Sequence, residues 1–387
     1  MLVRDEAELL RGCLESMAPF VNEMVVVDNG STDGSPEAAR ELGARVISEP
    51  GKDLDQGRTA YLEAATSDWI LVLDADERIC NQGGTTMRRV AAEAPGDLAG
   101  WNLPCLHYSG QGRWSQGPRF RLWRNDPRIR YSDSPIHASA GPAARAIGRI
   151  ERAHVPIHHL SGFYKRADRA KSERYIARMA DNAGRNPIFH TYIGLELTLL
   201  NRYDEAEAAF RRGVRDAGSG WSEYELVARL FLASFLVRRG RLSEAQMETK
   251  TVCAAGPDFH RWDAARCVAA EISWRQNDRA GALEHCRVVL QQIPESPQMR
   301  LNAAALLEET DPVEALTHLR EAIRLNPYLR NPLIYSEPLS RQSVHMHVTL
   351  LSCVRDVFSH AAACCRALGD EREALRWERR GRLSTDA

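Results

Sequence analysis

The chain has 387 residues, a length suited to two or three domains, and its 44% hydrophobic and 27% charged content supplies sizeable cores. The 51 Lys and Arg residues balance 52 Asp and Glu to a net charge of −1, which leaves no global basic field for nucleic acid or an anionic membrane. No run of about 18 apolar residues exists, the N-terminus lacks the basic-then-apolar shape of a signal peptide, and nine cysteines without a Cys-x-x-Cys pair exclude a disulfide scaffold, so a cytoplasmic location with reduced, mostly buried thiols is expected.

In chain order, Asp5 to Ala18 carries Leu9, Leu10, Leu14 and Met17 at helical spacing. The continuous apolar run 23–28, ending in Asp28, predicts a strand buried on both faces. The turn formers Asn29 to Ser35 follow, then a helix over 36–42, a strand over 45–48, a helix over 57–65 and a strand over 69–74. This alternation predicts a parallel sheet with helices on both faces and a ligand site beyond the carboxyl ends of its strands, where Asp28 and Asp74 stand. Residues 100–160, rich in Gly, Pro, Trp, His and Arg, read as mixed strands and loops completing the same domain, with β-like pieces at 101–105, 119–123 and 129–131.

From about Tyr164 the pattern is helical and repetitive. The segments ending in Ala206, Ala245, Ala282 and Ala315 are equivalent, with spacings of 39, 37 and 33 residues, and Pro187, Pro257, Pro294 and Pro327 punctuate the units. Small residues where helices cross and a proline closing each unit are similar to the tetratricopeptide repeat, which stacks into a solenoid with a concave face. A break with Pro332 and Pro338 precedes a last helix pair containing Ala374.

The most informative pentapeptide is Leu73-Asp74-Ala75-Asp76-Glu77, where a buried strand ends. In a turn, both aspartates can reach one divalent ion and the sugar of a nucleotide, and hard oxygen ligands suit Mg²⁺ or Mn²⁺. Together with Val3-Arg4-Asp5-Glu6 and the stretch from Val25 to Gly34, this order of motifs resembles the GT-A fold glycosyltransferases of family 2. The similarity extends to the bacterial subgroup that joins such a domain to tetratricopeptide-like helices, which includes peptide S-glycosyltransferases. The expected fold is thus α/β, a GT-A (Rossmann-like, mostly parallel) domain over 1–163, followed by an all-α repeat domain over 164–387.

The resemblance implies roles for particular residues. Asp28 matches the carboxylate that accepts from the uracil imide, and Arg58 matches an arginine near the base or phosphates, although Leu54 and Thr59 replace the family's usual Phe and Asn. Asp74 would touch the ribose or donor sugar, and Asp76 would ligate Mn²⁺ or Mg²⁺. A later His completes the metal shell in the family, here His159 or His158. Arg119, Arg121 and Arg124 could stabilise a diphosphate leaving group, or the first two could line a solvated strand face. Trp114 and Trp123 read either as stacking platforms or as core.

His137 is the first candidate base and Asp133 the second, with Ala138 standing where the subgroup carries Glu. Only Met1-Leu2-Val3 precede Arg4, so either the protein starts further upstream or its first strand is three residues long. The expected activity is inverting, metal-dependent transfer of a hexose from a UDP-sugar. The solenoid favours a peptide or protein acceptor, and also suits a homodimer. A polysaccharide or small-metabolite acceptor and a non-catalytic scaffold are the alternatives.

Overall fold

The computed structural model describes residues 1–51, 54–132, 138–164, 168–218, 222–339 and 348–385. They form two compact units, Met1–Leu106 with Gly117–Ser161, and His107–Gln116 with Gly162–Ala387.

The first unit opens with β1 (Leu2–Val3), α1 (Ala7–Met17), β2 (Val25–Asp28), α2 (Ser35–Glu41), β3 (Arg45–Ser48) and α3 (Leu54–Ala64). β1, β2 and β3 form a parallel sheet in that order, with Val3 beside Asp28 and Asp28 beside Ser48. The helical crossovers make the parallel pairing possible, and the fully buried Val26 and Val27 explain the unbroken apolar run.

The chain continues with β4 (Trp69–Leu71), β5 (Glu77–Ile79), α4 (Asn81–Ala92), β6 (Leu98–Tyr108), β7 (Trp114–Arg124), α5 (Gly141–Arg145), β8 (Arg149–Arg152), β9 (Ile157–His159) and α6 (Ser161–Tyr164). These strands make a second, mixed sheet of order β4-β7-β6-β9-β5, with β8 added on β6.

Here the structure corrects one expectation. The strand at 69–74 does not extend the first parallel sheet: it is assigned over Trp69–Leu71 and runs antiparallel to β7, Trp69 opposite Arg124. An apolar run reports burial on both faces and is silent about the partner. β1 is two residues long and bonded to β2, whereas β7 offers β4 an eleven-residue edge. The pieces at 101–105 and 119–123 lie within two eleven-residue strands. The piece at 129–131 is irregular chain that follows a turn at 127–128, closed by Ile129 N–H donating to Asp126 O.

The second unit holds α7 (Arg169–Ala180), α8 (Ile188–Leu199), α9 (Tyr203–Ala217), α10 (Ser222–Arg238), α11 (Leu242–Ala254), α12 (Trp262–Arg275), α13 (Arg279–Gln292), α14 (Pro297–Leu307), α15 (Pro312–Leu325), α16 (Val357–Ala367) and α17 (Glu371–Thr385). Helices α8 to α17 pair successively as antiparallel hairpins, and each pair packs on the next. The repeated alanines Ala206, Ala245, Ala282, Ala315 and Ala374 all sit in the first turn of a second helix, completely buried. A larger side chain there would separate the helices, which is why the sequence repeats at these positions.

Aspartates cap several of these helices, as in Asp278 accepting from Gly281 N–H at 2.8 Å and Asp311 from Glu314 N–H at 2.9 Å. α12 and α14 are buried on nearly every face and carry the buried polar residues Glu271, Gln298 and Asn302. Among the described residues no helix is long and apolar enough to cross a membrane. All nine cysteines are unbridged, including the adjacent Cys364 and Cys365.

Candidate active site

The candidate site is built on the turn between β4 and β5. Asp74 N–H donates to Glu77 Oε2 at 2.9 Å while Glu77 N–H donates to Asp74 O at 2.9 Å, so the turn closes on itself. Arg78 locks it from behind. Its guanidinium donates to Ala75 O at 2.6 Å, Glu77 O at 2.9 Å and Leu9 O at 2.8 Å. Gly12 on α1 leaves room for that guanidinium, since a Cβ there would lie 2.7 Å from it.

Three acids therefore project from four successive positions. Asp76 and Glu77 are buried, and Asp74 is reached by solvent. Arg121 on β7 bridges two of them, 2.6 Å from Asp74 Oδ2 and 3.0 Å from Glu77 Oε1. Burial drives the Glu77 carboxyl up to about 7, with the neighbouring Asp74 and Asp76 adding to it against the pull of Arg121. Burial also opposes ionisation of Asp74, yet Arg121 outweighs it and holds that carboxyl down to about 2. Burial works against the Arg121 charge too, and the two carboxylates more than restore it.

The β5–β9 register sorts the tandem histidines. β9 runs antiparallel to β5, with Glu77 opposite His159 and Arg78 opposite His158. Successive side chains leave a strand on opposite faces. His159 Nε2 lies 3.6 Å from Asp76 Oδ1, and Leu160 N–H donates to Asp76 O at 3.0 Å. His158 is fully buried, and desolvation, with the neighbouring His154, pushes its imidazole down to about 3. The structure thus brings Asp76 to His159 and leaves His158 in the core. Burial also lowers His159, against the opposing pull of Asp76 and Asp74.

Arg119 precedes Arg121 by two residues on β7, so both share a strand face; Arg119 is exposed, and its charge is felt at His159. Arg58 on α3 lies over the Tyr131 ring, 5.1 Å from its centroid, and the Tyr61 and Tyr131 hydroxyls are 2.8 Å apart. Asp28 ends β2 with its carboxylate accepting from Gly30 N–H at 3.2 Å and Ser31 N–H at 3.1 Å, which shapes the turn after the strand.

Other candidates are placed differently from their diphosphate or stacking roles. Arg124 donates to Leu98 O and Pro95 O and covers the Trp69 ring, so it is a structural clamp. Trp123 is core, stacked on Phe120 at 5.3 Å. Trp114 is also buried, and belongs to the second unit. Asp133 and His137 lie outside the described residues. Sequence reasoning assigned no role to Glu77, Arg78 or Tyr61; the signal for the first two was their place immediately after Asp76.

Among the described residues no group of three His, Cys, Asp or Glu side chains converges as a metal site. Asp76 and His159 do bring a carboxylate and an imidazole within 3.6 Å of each other; the carboxylate suits Mn²⁺ or Mg²⁺ when phosphate oxygens and water complete the shell, and the imidazole favours the transition ion Mn²⁺ of the two.

Residues 1–80 match the family model Glycosyl transferase family 2, so the chain carries a family 2 glycosyltransferase domain at its N-terminus. It is 41% identical over 152 residues to a TPR repeat-containing protein of Synechococcus elongatus, covering 39% of this chain and 37% of that one. It is 21% identical over 230 residues to the SPbeta prophage-derived glycosyltransferase SunS of Bacillus subtilis, covering 56% and 52%. The matched regions thus span about a third to a half of these relatives. Among solved structures, YrrB, a TPR protein with an unusual peptide-binding site, aligns at a TM-score of 0.37 and 12% identity, covering 56% of this chain and 94% of its own. The repeat architecture rests on the helix pairing and buried alanines described above.

Proposed function

We propose that the chain is a metal-dependent, inverting glycosyltransferase that moves a hexose from a UDP-sugar to the side chain of a polypeptide. The observation that supports it best is the strand-end turn, which sets Asp74, Asp76 and Glu77 around Arg121 with His159 alongside. Asp76 and His159 would hold Mn²⁺ or Mg²⁺. When bound, such a cation neutralises charge on a departing diphosphate.

Asp74 faces the donor sugar or ribose in this reading, and Asp28 and Arg58 flank the nucleotide. Arg121 keeps the Asp74 carboxylate ionised and oriented, while the exposed Arg119 supplies positive charge for the leaving group. An acceptor oxygen or sulfur attacks the anomeric carbon from the face opposite the diphosphate. The bond from that carbon to the diphosphate oxygen breaks, UDP leaves with the electron pair, and the acceptor proton passes to His137 or, failing it, Asp133. Transfer to a polysaccharide or small metabolite would use the same donor half of the site. Unbridged thiols support a reducing, cytoplasmic setting.

The test is release of UDP from a panel of UDP-sugars by the full chain, with Mn²⁺, Mg²⁺ or chelator. Release should require the cation and fall by on the order of a hundredfold or more in Asp76→Ala, with the circular dichroism unchanged. Release that ignores both chelator and Asp76→Ala would defeat the proposal.

A further inference from the structure

A solenoid of helix pairs ordinarily leaves its inner face open for an extended ligand. In this chain that face holds a segment of the chain itself. Residues 348–352 run across α10, α12 and α14, and their main-chain groups are bonded one after another. Val348 N–H donates to Ser234 Oγ at 3.4 Å. Thr349 O accepts from Cys267 Sγ at 2.8 Å and from Asn302 Nδ2 at 3.1 Å. Leu351 N–H donates to Asn302 Oδ1 at 3.0 Å, and Ser352 N–H to Glu271 Oε2 at 2.8 Å.

The Asn302 carboxamide thus grips the carbonyl of one residue and the N–H of the second residue after it. Leu350 between them is a bend, and Val354 N–H donates to Leu351 O at 3.0 Å to close a turn, so this pairing reads a bent main chain rather than a strand. On the other side Arg113 donates to Leu350 O at 3.0 Å, Leu351 O at 3.3 Å and Val354 O at 2.9 Å. Ser234, Cys267, Glu271 and Asn302 are all at most 1% exposed, and they come from three successive inner helices. Four buried polar side chains placed in register are costly unless paired; the segment pairs all four, and Arg275 also holds Glu271 Oε1 at 2.6 Å.

We propose that the inner face of the helical stack is a clamp for a bent stretch of polypeptide main chain whose resident ligand is the chain's own segment 348–352. An acceptor polypeptide is therefore excluded from this face unless it displaces that segment. The clamp contacts are to main chain; the occupant's own requirement is two adjacent apolar residues, met here by the buried Leu350 and Leu351. The inference goes beyond the transfer reading, and its test reads binding rather than turnover, so the two fail separately.

The probe is a fluorescein-labelled octapeptide of residues 348–355 with Ser in place of Cys353, titrated into the full chain and into Leu351→Pro, which removes the N–H that Asn302 accepts. The unaltered chain should bind the peptide at least tenfold more weakly than Leu351→Pro, and a peptide carrying the same proline should bind neither. Equal binding by both proteins, or no binding by a Leu351→Pro chain that keeps its helical circular dichroism, overturns the proposal. Should that variant lose its fold, hydrogen exchange on the unaltered chain decides. The Leu351 and Ser352 amides should be protected like those of α12, and Asn302→Ala should speed exchange at Leu351 by roughly fivefold to tenfold, the scale of one hydrogen bond. Exchange of both amides at the free-peptide rate in the unaltered chain would sink the clamp.

Discussion

The strand-end turn of the first unit and the inner face of the second solve the burial of polar groups in opposite ways. Around Arg121 the structure concentrates charge, with Asp74, Asp76 and Glu77 on four successive positions and one guanidinium between two of them. On the inner face it cancels dipoles, mostly pairing neutral side chains with main-chain groups until the segment at 348–352 is held throughout. A site of the first kind is prepared for a charged ligand such as a cation and a diphosphate. A site of the second kind is already satisfied, and a new ligand must match the one that it replaces.

The contrast can be tested by removing one group at a time. The largest cost is expected for Arg121→Met, which strands the buried Glu77 without its cation and removes the partner of the solvent-reached Asp74. Urea unfolding should show a loss of about 3–5 kcal/mol, whereas Arg119→Met, at an exposed position two residues away, should lie within about 0.5 kcal/mol of the parent. Equal costs would mean that the Arg121 bridge is a surface ion pair.

The next effect is pH dependence from His158. Its folded value near 3 lies below the unfolded value near 6.5, so the neutral form is required in the fold. Its contribution is complete above about pH 6.5 and is lost as pH falls toward 3, at about 1.4 kcal/mol per unit. Unfolding midpoints between pH 6.5 and 4.5 should therefore decline less steeply in His158→Gln, and parallel slopes would show that His158 is protonated in the fold. The smallest effect belongs to the helical unit, where Asp311→Ala removes one exposed cap and should cost about 1 kcal/mol in thermal unfolding. A loss as large as that of Arg121→Met would erase the distinction between the units.

Much of this architecture was legible in the chain. The strand at 45–48, the flanking helices, the repeated alanines and the Asp74-Ala75-Asp76 turn all follow from local periodicity and residue chemistry. The direction of β4 was not, because an apolar run reports that a strand is buried and not what lies beside it. Arg121 and Arg124 show the same limit: they are alike in sequence, three residues apart, yet one meets two carboxylates and the other two carbonyls and an indole. Glu77 was visible as an acid and invisible as the closing element of its own turn.

By itself the sequence determined the early strands and helices, the helical repeat and where the acids cluster, since these depend on spacings of a few residues. Only the tertiary structure decided that His159 rather than His158 meets Asp76, because that choice belongs to the register of β5 against β9. It alone placed Asn302 on the main chain of residues 349 and 351, a pairing across 47 and 49 positions. Register and long-range pairing are set by the summed packing of whole elements, and no short stretch of sequence contains that sum.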